Sequence, residues 1–449
     1  MSIQSQVTNK VKIVQTSIMS FVVTKSSPPM LVAPSKPTPA GDIQLTPTDK
    51  SRLLVPFTSF HIFEHPIHEP ANIIRHSLSQ TLIHYYPIAG RLAFGATKGD
   101  NNKDVYVSCT GQGVAFVSAT ASCTLQELRF LHTPLAIPLA DLAVRYRGCC
   151  GPTDPLLMMQ VTEFTCGGYV VAVTWNHGIT DAFGLAQFLQ AVGEIARGLP
   201  SPSVVPVRHD DSLPDIPQLI SAVLKRSPAA FTTSTKRVDF AYCDFTIPWS
   251  FIDRIKEEFK SRHIGSSARP CTTFQVVTAV IWQCRTRAIN ADPGVPAPLM
   301  FTANVRKFVG AKDGYYGNCV FSQLVEATSG RVANSAIVDV VRLIKDAKER
   351  IAENVAEVRE MELDDELMGA LCGYNMLGVS SWGGIGLDCI DFGGGRPARL
   401  VANVEKLSAP ACFPCLPHSR TDHDGANVVA FCVTEEHVDK FLAELARLQ

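Results

Sequence analysis

The residues best placed to do chemistry lie in the segment WNHGITDAFG, residues 175–184. An apolar run ends just before His177, and Asp181 follows four residues later at the predicted start of a helix. A histidine at the end of a buried strand faces a cleft, and its usual pKa of about 6.5 suits proton transfer near neutrality. Such a histidine could act as a general base that takes a proton from a hydroxyl or amine attacking a carbonyl. Asp181 would cap the helix or hold a cation. Because the motif fixes only two residues, the pattern by itself favours a structural histidine beside an ordinary N-cap.

A second notable segment is DFGGGRP, residues 391–397. Three consecutive glycines permit positive φ angles and close backbone approach. The Asp391 carboxylate can accept hydrogen bonds from the turn that they make. We therefore interpret Asp391 as a brace for a tight turn before the predicted strand 398–404, and not as a catalytic acid.

Other reaction classes lack their motifs. The nearest approach to GxSxG is GVSSW at 378–382, which ends in tryptophan, so a serine nucleophile is not expected. The glycines at 383, 384 and 386 lack the spacing of a dinucleotide fingerprint, and no P-loop lysine is present. Nicotinamide, flavin and ATP chemistry are therefore not expected, whereas a cysteine nucleophile has no supporting context but stays open.

One cluster has loose metal-ligand spacing and consists of Cys412, Cys415, His418 and His423. A zinc site needs four converging ligands, which a CxxC followed by HxxxxH could supply. The spacing is tighter than in usual zinc modules, and three prolines predict a stiff, irregular loop here: Pro410, Pro414 and Pro417. We expect no metal site.

Composition narrows the class of protein. The 449 residues include 41 basic and 42 acidic ones, and this balance argues against a nucleic-acid binder. No run approaches the ~20 apolar residues of a membrane span, and Met1 to Lys10 lacks the apolar middle of a signal peptide. Most of the 14 cysteines sit singly in apolar runs, which is typical of a reducing compartment. We expect a soluble, cytoplasmic protein without membrane or nucleic-acid partners, and a monomer since apolar heptads are absent.

Periodicity predicts an α/β protein. In the first half we expect a strand over 53–63, a helix over 73–86, buried strands over 156–164 and 168–175, and a helix over 182–197. In the second half we expect a strand over 238–245 and helices over 250–261, 272–288, 335–358 and 435–448. Five prolines between Pro200 and Pro217 predict an extended crossover. The predicted division is a first domain at 1–200, a crossover at 201–225 and a second domain at 226–449.

The two clusters together resemble the BAHD family of plant acyl-CoA-dependent acyltransferases. HxxxD at 177–181 looks like the family's catalytic motif, and DFGGG at 391–395 looks like its DFGWG signature. Further similar segments follow the family's order along the chain: PSKPTP at 34–39, SLSQTLIHYYPIAGRL at 77–92, QFLQAVGEIARG at 187–198, NVRKFVGAKDGYYGNCV at 304–320 and VSSW at 379–382. The resemblance spans roughly residues 20 to 445.

This resemblance implies two chloramphenicol-acetyltransferase-like α/β domains joined by a crossover loop, with an active-site channel at their interface. It implies acyl-CoA as co-substrate, no bound cofactor, and an alcohol or amine as acceptor. His177 would be the base, Asp181 would turn away from the substrate toward Arg306, and oxyanion donors stay unassigned. By the same resemblance Ser380 and Trp382 would line the acceptor side, and Asp391, Gly393 and Gly395 would support the second signature.

The sequence departs from the family pattern in two places. Gly394 stands where the family usually has tryptophan, so the packing of the second signature must differ. The 18 residues before Met19 exceed the family's usual short lead.

For the reaction, we expect transfer of an aromatic acyl group, benzoyl or hydroxycinnamoyl, to the hydroxyl of a plant specialised metabolite. One alternative is acylation of an amine or polyamine. Another is a carrier-dependent condensation domain, which usually has a second histidine where this chain has Asn176. A third is a non-catalytic member that binds a small molecule or a partner protein. The sequence does not name the donor or the acceptor.

Overall fold

Strands and helices are mixed along the chain in the computed structural model, which describes residues 21–26, 28–53, 56–96, 103–146, 148, 150–216, 238–262, 269–356, 365–404, 409–415 and 424–448. The strands are β1 (Val23–Lys25), β2 (Met30–Val32), β3 (Asp42–Gln44), β4 (Pro56–Phe63), β5 (Arg91–Ala96), β6 (Lys103–Ser108), β7 (Val114–Ala121), β8 (Leu157–Glu163), β9 (Tyr169–Asn176), β10 (Cys243–Pro248), β11 (Leu299–Asn304), β12 (Val320–Val325), β13 (Leu377–Val379), β14 (Arg399–Asn403), β15 (Ala411–Cys415) and β16 (Gly425–Phe431). The helices are α1 (Pro47–Lys50), α2 (Pro70–His84), α3 (Ala182–Ala196), α4 (Trp249–Ser261), α5 (Thr273–Ile289), α6 (Arg306–Val309), α7 (Ser329–Asn334), α8 (Ile337–Glu349), α9 (Ile351–Ala356), α10 (Asp365–Leu371) and α11 (Glu435–Ala446).

The first large sheet contains β9, the strand that ends just before His177. It runs in the order β1-β7-β8-β9-β4-β14, with β2 also paired to β7. Every residue of β9 is buried, which confirms the prediction from its unbroken apolar sequence that both faces are covered. Helices α2 and α3 add their apolar stripes to the same core, through residues such as Ile74, Leu78, Leu185 and Leu189.

The second large sheet forms a separate core. Its strand order is β10-β16-β15-β13-β11-β12. Helices α4, α5, α8 and α11 pack Ile252, Trp282, Ile344 and Phe441 into this core. The chain is therefore a mixed α/β protein with two sheet-rich halves, as predicted.

The crossover between the halves is extended where the structure describes it. Val207 forms a parallel bridge with Tyr315, and Arg208 makes an ion pair of 2.9 Å with the carboxylate of Asp49. The crossover thus returns to the first half and also contacts the second. Residues 217–225 of the predicted linker lie outside the described residues.

Strand β14 does not follow the sequence order of the two halves. It lies within the predicted second domain, yet it pairs antiparallel with β4, with Leu400 opposite His61. Without it, β4 would expose a row of unpaired backbone groups at the edge of the first sheet. The boundary drawn along the sequence and the membership of the two sheets therefore differ at this strand.

Some predicted elements have other bounds. The helix predicted over 335–358 is two helices, α8 and α9, because the chain leaves helical hydrogen bonding at Arg350. The irregular loop predicted from the prolines near 414 is wrong, since residues 411–415 form β15. A proline nitrogen has no hydrogen to donate. Pro414 takes part in the pairing only through its carbonyl, which accepts a hydrogen bond from Trp382 N at 2.8 Å. No helix in the described ranges is long and apolar enough to cross a membrane.

Candidate active site

His177 lies where the first sheet meets the second half of the chain. It follows the last residue of β9, and 9% of its surface is exposed. Its backbone carbonyl accepts a hydrogen bond of 2.7 Å from Asn318 Nδ2, a residue just before β12. The pattern predicted a histidine at the end of a buried strand, and the structure places that strand end where the two halves meet.

The surroundings of His177 keep its imidazole neutral. Burial, aided by the charge of Arg52 and opposed by that of Asp181, lowers the pKa of His177 to about 4. Among the described residues Nδ1 of His177 is buried without a hydrogen-bond partner. A neutral imidazole is the form that accepts a proton, so at neutral pH the residue is in the state that a general base needs.

Aromatic rings surround the imidazole. The ring of Phe57 meets His177 edge-on at a centroid distance of 5.0 Å, and that of Trp175 lies 6.3 Å away. Trp382 extends this wall, at 6.4 Å from Trp175 and 5.9 Å from Phe413. The wall combines β4 and β9 of the first sheet with residues of the second half, so both halves shape the space beside His177.

Asp181 is fully engaged away from the imidazole. It is the N-cap of α3 and its Oδ1 accepts from Gly184 N at 2.9 Å, which confirms the predicted capping role. The same oxygen accepts from Arg306 Nη2 at 2.9 Å, and Oδ2 accepts from Cys319 N at 2.9 Å. Burial alone would raise the pKa of Asp181, but the charge and hydrogen bonds of these donors lower it overall. Asp181 is therefore an ionised structural anchor.

Arg306 ties the segment before β12 to α3. Besides Asp181 it reaches two backbone carbonyls, with Nε 2.9 Å from Tyr315 O and Nη2 2.6 Å from Gly317 O. Its side chain is only 16% exposed. The Arg306–Asp181 pair therefore clamps the two halves together directly behind the HxxxD turn.

A second anchor runs through Asp49, which is completely buried. Its Oδ1 accepts from Asn318 Nδ2 at 2.8 Å, and its Oδ2 accepts from Arg208 Nη2 at 2.9 Å. Since Asn318 Nδ2 also donates to the carbonyl of His177, one amide group links the Asp49 carboxylate to the HxxxD turn. Asp49, Asn318 and Arg208 thus hold the backbone of His177 from three separate parts of the chain.

Sequence reasoning assigned no role to Asp49, Asn318 or Arg208. A local signal existed for Asp49, because Thr46-x-x-Asp49 is a capping-box pattern, and the structure shows that box at α1. Asn318 stood within a segment quoted for its resemblance, but its polar contact needs a partner 269 residues away. No local pattern marks Arg208.

The predicted acceptor-side residues occupy different environments. Trp382 is 2% exposed and belongs to the aromatic wall described above. Ser380 is half-buried just after β13, and its N–H donates to Cys412 O at 3.0 Å. Ring contacts therefore connect Trp382 to the surroundings of His177. Ser380, in contrast, takes part in a backbone hydrogen bond between neighbouring strands.

The DFGGG segment lies far from the imidazole. Asp391 Oδ1 accepts from Gly393 N at 2.7 Å and Gly395 N at 2.9 Å, which confirms the predicted turn. Phe392 packs against Phe63, at the end of β4 opposite to the end that pairs with β9 beside His177. The structure thus brings together His177, Asp181, Arg306 and Trp382, and leaves Asp391, Gly393 and Gly395 outside that group.

Gly394 sits where a side chain has no room. A Cβ built there would lie 2.8 Å from Ile67 Cγ2 and 2.9 Å from His65 O. The tryptophan usual at this position of the resembling family would therefore require a different path of the backbone near residues 65–67. This is the changed packing that the departure from the DFGWG signature predicts.

The cysteine and histidine cluster considered in the sequence gives little support for a metal site. Cys412 and Cys415 are buried within β15, and His418 and His423 lie outside the described residues. In the part of the chain that the structure describes, no group of three or more histidine, cysteine or acidic side chains is arranged to hold a metal ion.

A cleft of about 500 Å³ opens beside the crossover. It lies between β3, the end of α2 and residues 206–209, and Tyr316 forms part of its wall. His177 is not among the residues that line it. The imidazole therefore does not face this cleft, although Arg208 of the second anchor lines it.

Known structures share this architecture. The crystal structure of vinorine synthase aligns with a TM-score of 0.65 at 20% identity, covering 95% of this chain and 98% of the other. F. graminearum TRI101 complexed with coenzyme A and deoxynivalenol aligns with a TM-score of 0.67 at 16% identity, covering 91% and 99%. At these identities the likeness establishes the fold.

Sequence comparison establishes the family. The model of the Transferase family matches residues 21–448. Acyl transferase 15 of Oryza sativa subsp. japonica is 41% identical over 454 residues, covering 96% of this chain and 99% of the relative. Myricetin 3-O-glucosyl 1,2-rhamnoside 6'-O-caffeoyltransferase AT1 of Crocosmia x crocosmiiflora is 34% identical, covering 95% and 99%. Together with an HxxxD turn at the interface of two α/β halves, these matches show that the chain is an enzyme of acyl transfer and belongs to the BAHD acyltransferases of the Transferase family.

Proposed function

We propose that the enzyme transfers an aromatic acyl group from acyl-CoA to the hydroxyl of a plant specialised metabolite, with His177 as general base. The observation that carries this proposal is the position of the His177 imidazole, which is buried at the interface of the two halves and bounded by aromatic rings. The crystal structure of TRI101 with coenzyme A and deoxynivalenol supports acyl-CoA as the donor.

The reaction follows from the state of the imidazole. An unprotonated ring nitrogen of His177 takes the proton of the acceptor hydroxyl as that oxygen attacks the thioester carbonyl carbon. The new C–O bond gives a tetrahedral oxyanion, whose collapse breaks the C–S bond. The CoA thiolate leaves and takes the proton back from the imidazolium, so the enzyme returns to its starting state without a covalent intermediate.

In this reaction Asp181 and Arg306 position the base and transfer no proton themselves. Both oxygens of Asp181 are used by donors other than the imidazole. Their effect is to fix the turn between His177 and α3, so that the base keeps its place when substrates enter. Preorganisation of this kind removes the cost of orienting a catalytic group during the reaction.

The preference for an aromatic acyl group rests on the wall beside the base. Phe57, Trp175, Phe413 and Trp382 form ring contacts with one another or with His177. Aromatic rings pack favourably in offset or edge-on pairs. The relative from Crocosmia, whose name specifies caffeoyl transfer, supports the same class of donor.

The test measures thiol release from acetyl-, malonyl-, benzoyl- and coumaroyl-CoA with pooled alcohols and pooled amines. We expect acceptor-dependent release with an aromatic donor and an alcohol, and a loss of about 10²- to 10⁴-fold in His177→Ala. The matched control is His76→Ala, since His76 is exposed on α2. Its rate should equal that of the wild type.

Three results would change the proposal. Full release by His177→Ala would exclude the imidazole as the base. Release with amines alone would make the enzyme an N-acyltransferase. Tight binding of acyl-CoA without release from any pair would favour a non-catalytic member of the family.

A further inference from the structure

The guanidinium group of Arg52 acts electrostatically on His177, and two of its nitrogen atoms have no hydrogen-bond partner among the described residues. Arg52 follows α1, and its backbone N–H donates to Asp49 O at 3.0 Å. Among the described residues, its Nε and Nη2 atoms are buried and make no hydrogen bond. Leaving buried donors of a charged group unpaired destabilises a protein, so a partner is expected in the working enzyme.

The position of Arg52 next to the catalytic turn follows from its neighbour Leu53. Asn176 Nδ2 donates to the carbonyl of Leu53 at 3.2 Å. A Cβ on Gly178 would lie 2.4 Å from Leu53 Cδ2. The segment containing Arg52 therefore packs against the residues on both sides of His177. The effect of its charge on that imidazole agrees with this placement.

The carboxylates nearest to Arg52 are already used. Asp49 accepts from Asn318 and from Arg208. Asp181 accepts from Arg306 and from two backbone N–H groups. Neither carboxylate makes a hydrogen bond with Arg52, so the positive charge of Arg52 beside the base is not matched by an ion pair of its own in the described residues.

The two unpartnered atoms also specify the shape of the missing group. Nε and Nη2 lie on one edge of the planar guanidinium, and their N–H bonds point in the same direction. This edge matches the two oxygens of a carboxylate, which it binds with two parallel hydrogen bonds. A single carbonyl oxygen would use only part of it.

We propose that Arg52 binds a carboxylate of the substrate and thereby selects acceptors that carry both a nucleophilic hydroxyl and a carboxylate. This inference rests on the proposed function, since it concerns the substrate used at His177. The same chemistry would also fit a carboxylate at the end of the acyl group, as in malonyl-CoA, and the experiment separates the two sources.

The first arm measures binding without turnover. Calorimetry is carried out on the full-length enzyme with acetate, benzoate and 4-(hydroxymethyl)benzoate, and with acetamide, benzamide and benzyl alcohol as neutral counterparts. We expect at least one carboxylate to bind at least tenfold more tightly than its neutral counterpart, and Arg52→Gln to abolish this preference. Arg75→Gln, which removes an exposed arginine on α2, is the matched control and should keep it. Since no acyl transfer is needed, this arm stands even if the proposed reaction fails.

The second arm assigns the source of the carboxylate. Thiol release is measured with benzoyl-CoA and either 4-(hydroxymethyl)benzoate or its methyl ester, and with malonyl-CoA against acetyl-CoA. For the acid acceptor, Arg52→Gln should raise KM by about 10- to 100-fold with little change in kcat, which is the effect of losing a charged hydrogen-bonded pair of about 1.5–3 kcal/mol. Arg52→Lys keeps the charge but not the two-donor edge, and should recover only part of the loss.

Three results would revise or overturn the proposal. A selective effect on malonyl-CoA would place the carboxylate on the acyl group. An equal fall in kcat for acid and ester acceptors in Arg52→Gln would overturn the proposal in favour of a general structural or oxyanion role. Wild-type enzyme that binds none of the carboxylates more tightly than the neutral counterparts would also overturn it.

Discussion

Replacing Arg306 with glutamine would remove the cation that faces Asp181 while keeping most of the side-chain volume. The Asp181 side chain is 2% exposed, so solvent does not take the place of the lost guanidinium. The carboxylate would keep only the backbone N–H groups of Gly184 and Cys319 as donors. Two bonds from Arg306 to the carbonyls of Tyr315 and Gly317 would be lost at the same time.

The burial of the Arg306–Asp181 ion pair determines how far Arg306→Gln lowers the stability. Removing one member of a buried ion pair costs about 3–5 kcal/mol, because the remaining charge is left uncompensated. A change of 1 kcal/mol shifts the melting temperature of a domain of 150–250 residues by about 2–4 °C. Arg306→Gln should therefore lower Tm by about 10 °C.

Differential scanning fluorimetry at pH 7.5 measures this shift. The control is Arg262→Gln, which breaks an ion pair of 2.6 Å with Glu258 whose two side chains are 44% and 38% exposed. An exposed pair contributes less than about 1 kcal/mol, so Tm should fall by no more than about 2 °C. The double variant Arg306→Gln/Asp181→Asn removes both charges of this pair, so no uncompensated carboxylate stays behind, and it should be more stable than Arg306→Gln alone. A Tm for Arg306→Gln equal to that of the control would refute the reasoning.

Two further predictions concern the backbone anchor and the buried imidazoles. Asn318→Ala removes the bonds from Nδ2 to Asp49 and to the carbonyl of His177, so kcat should fall about tenfold, equivalent to about 1.4 kcal/mol. Steady-state kinetics with acyl-CoA varied would check this, and an unchanged kcat would contradict the anchoring role. Burial, aided at His177 by the charge of Arg52, lowers the pKa of His177 to about 4, and burial lowers that of His61 to about 3. Because these folded-state pKa values lie below the unfolded value of about 6.5, acid protonates the unfolded chain first. Above pH ~6.5 both groups make their full contribution to the free energy of unfolding. By pH ~4.5 the contribution of each group has fallen by about 3 kcal/mol. Urea unfolding from pH 7.5 to 4.5 measures this loss, and His61→Asn should reduce it by about half; an unchanged pH dependence in that variant would show that His61 does not titrate on unfolding.

Local patterns were enough to predict the strand and helix that carry the HxxxD turn. The run before His177 is apolar without interruption, and Asp181 opens a helix whose apolar residues recur at helical spacing. Both signals depend on residues close together in the chain. The turn at Asp391 was predicted for the same reason, since an aspartate before three glycines brings its own hydrogen-bond donors.

Contacts between distant segments were not predictable from such patterns. The anchor of His177 joins Asp49 of α1 to Arg208 and Asn318, which lie on two separate loops, and the three residues share no motif. The pairing of Asp181 with Arg306 was expected only through the family resemblance, because composition and spacing give no partner for either residue. The bounds of α8 and α9 were missed because the apolar periodicity continues past the interruption at Arg350.

The pairing of β14 with β4 has a consequence for synthesis of the chain. The first sheet receives its last strand only when residues near 400 are available to pair with those near 61. On the ribosome, the growing chain must therefore hold an incomplete sheet, with one side of β4 open, while most of the second half is still being made. Pairing over so long a stretch of chain is slow. A protein severed at the crossover would consequently yield an amino-terminal fragment with an exposed strand edge, prone to self-association until the carboxy-terminal fragment supplies β14 in trans.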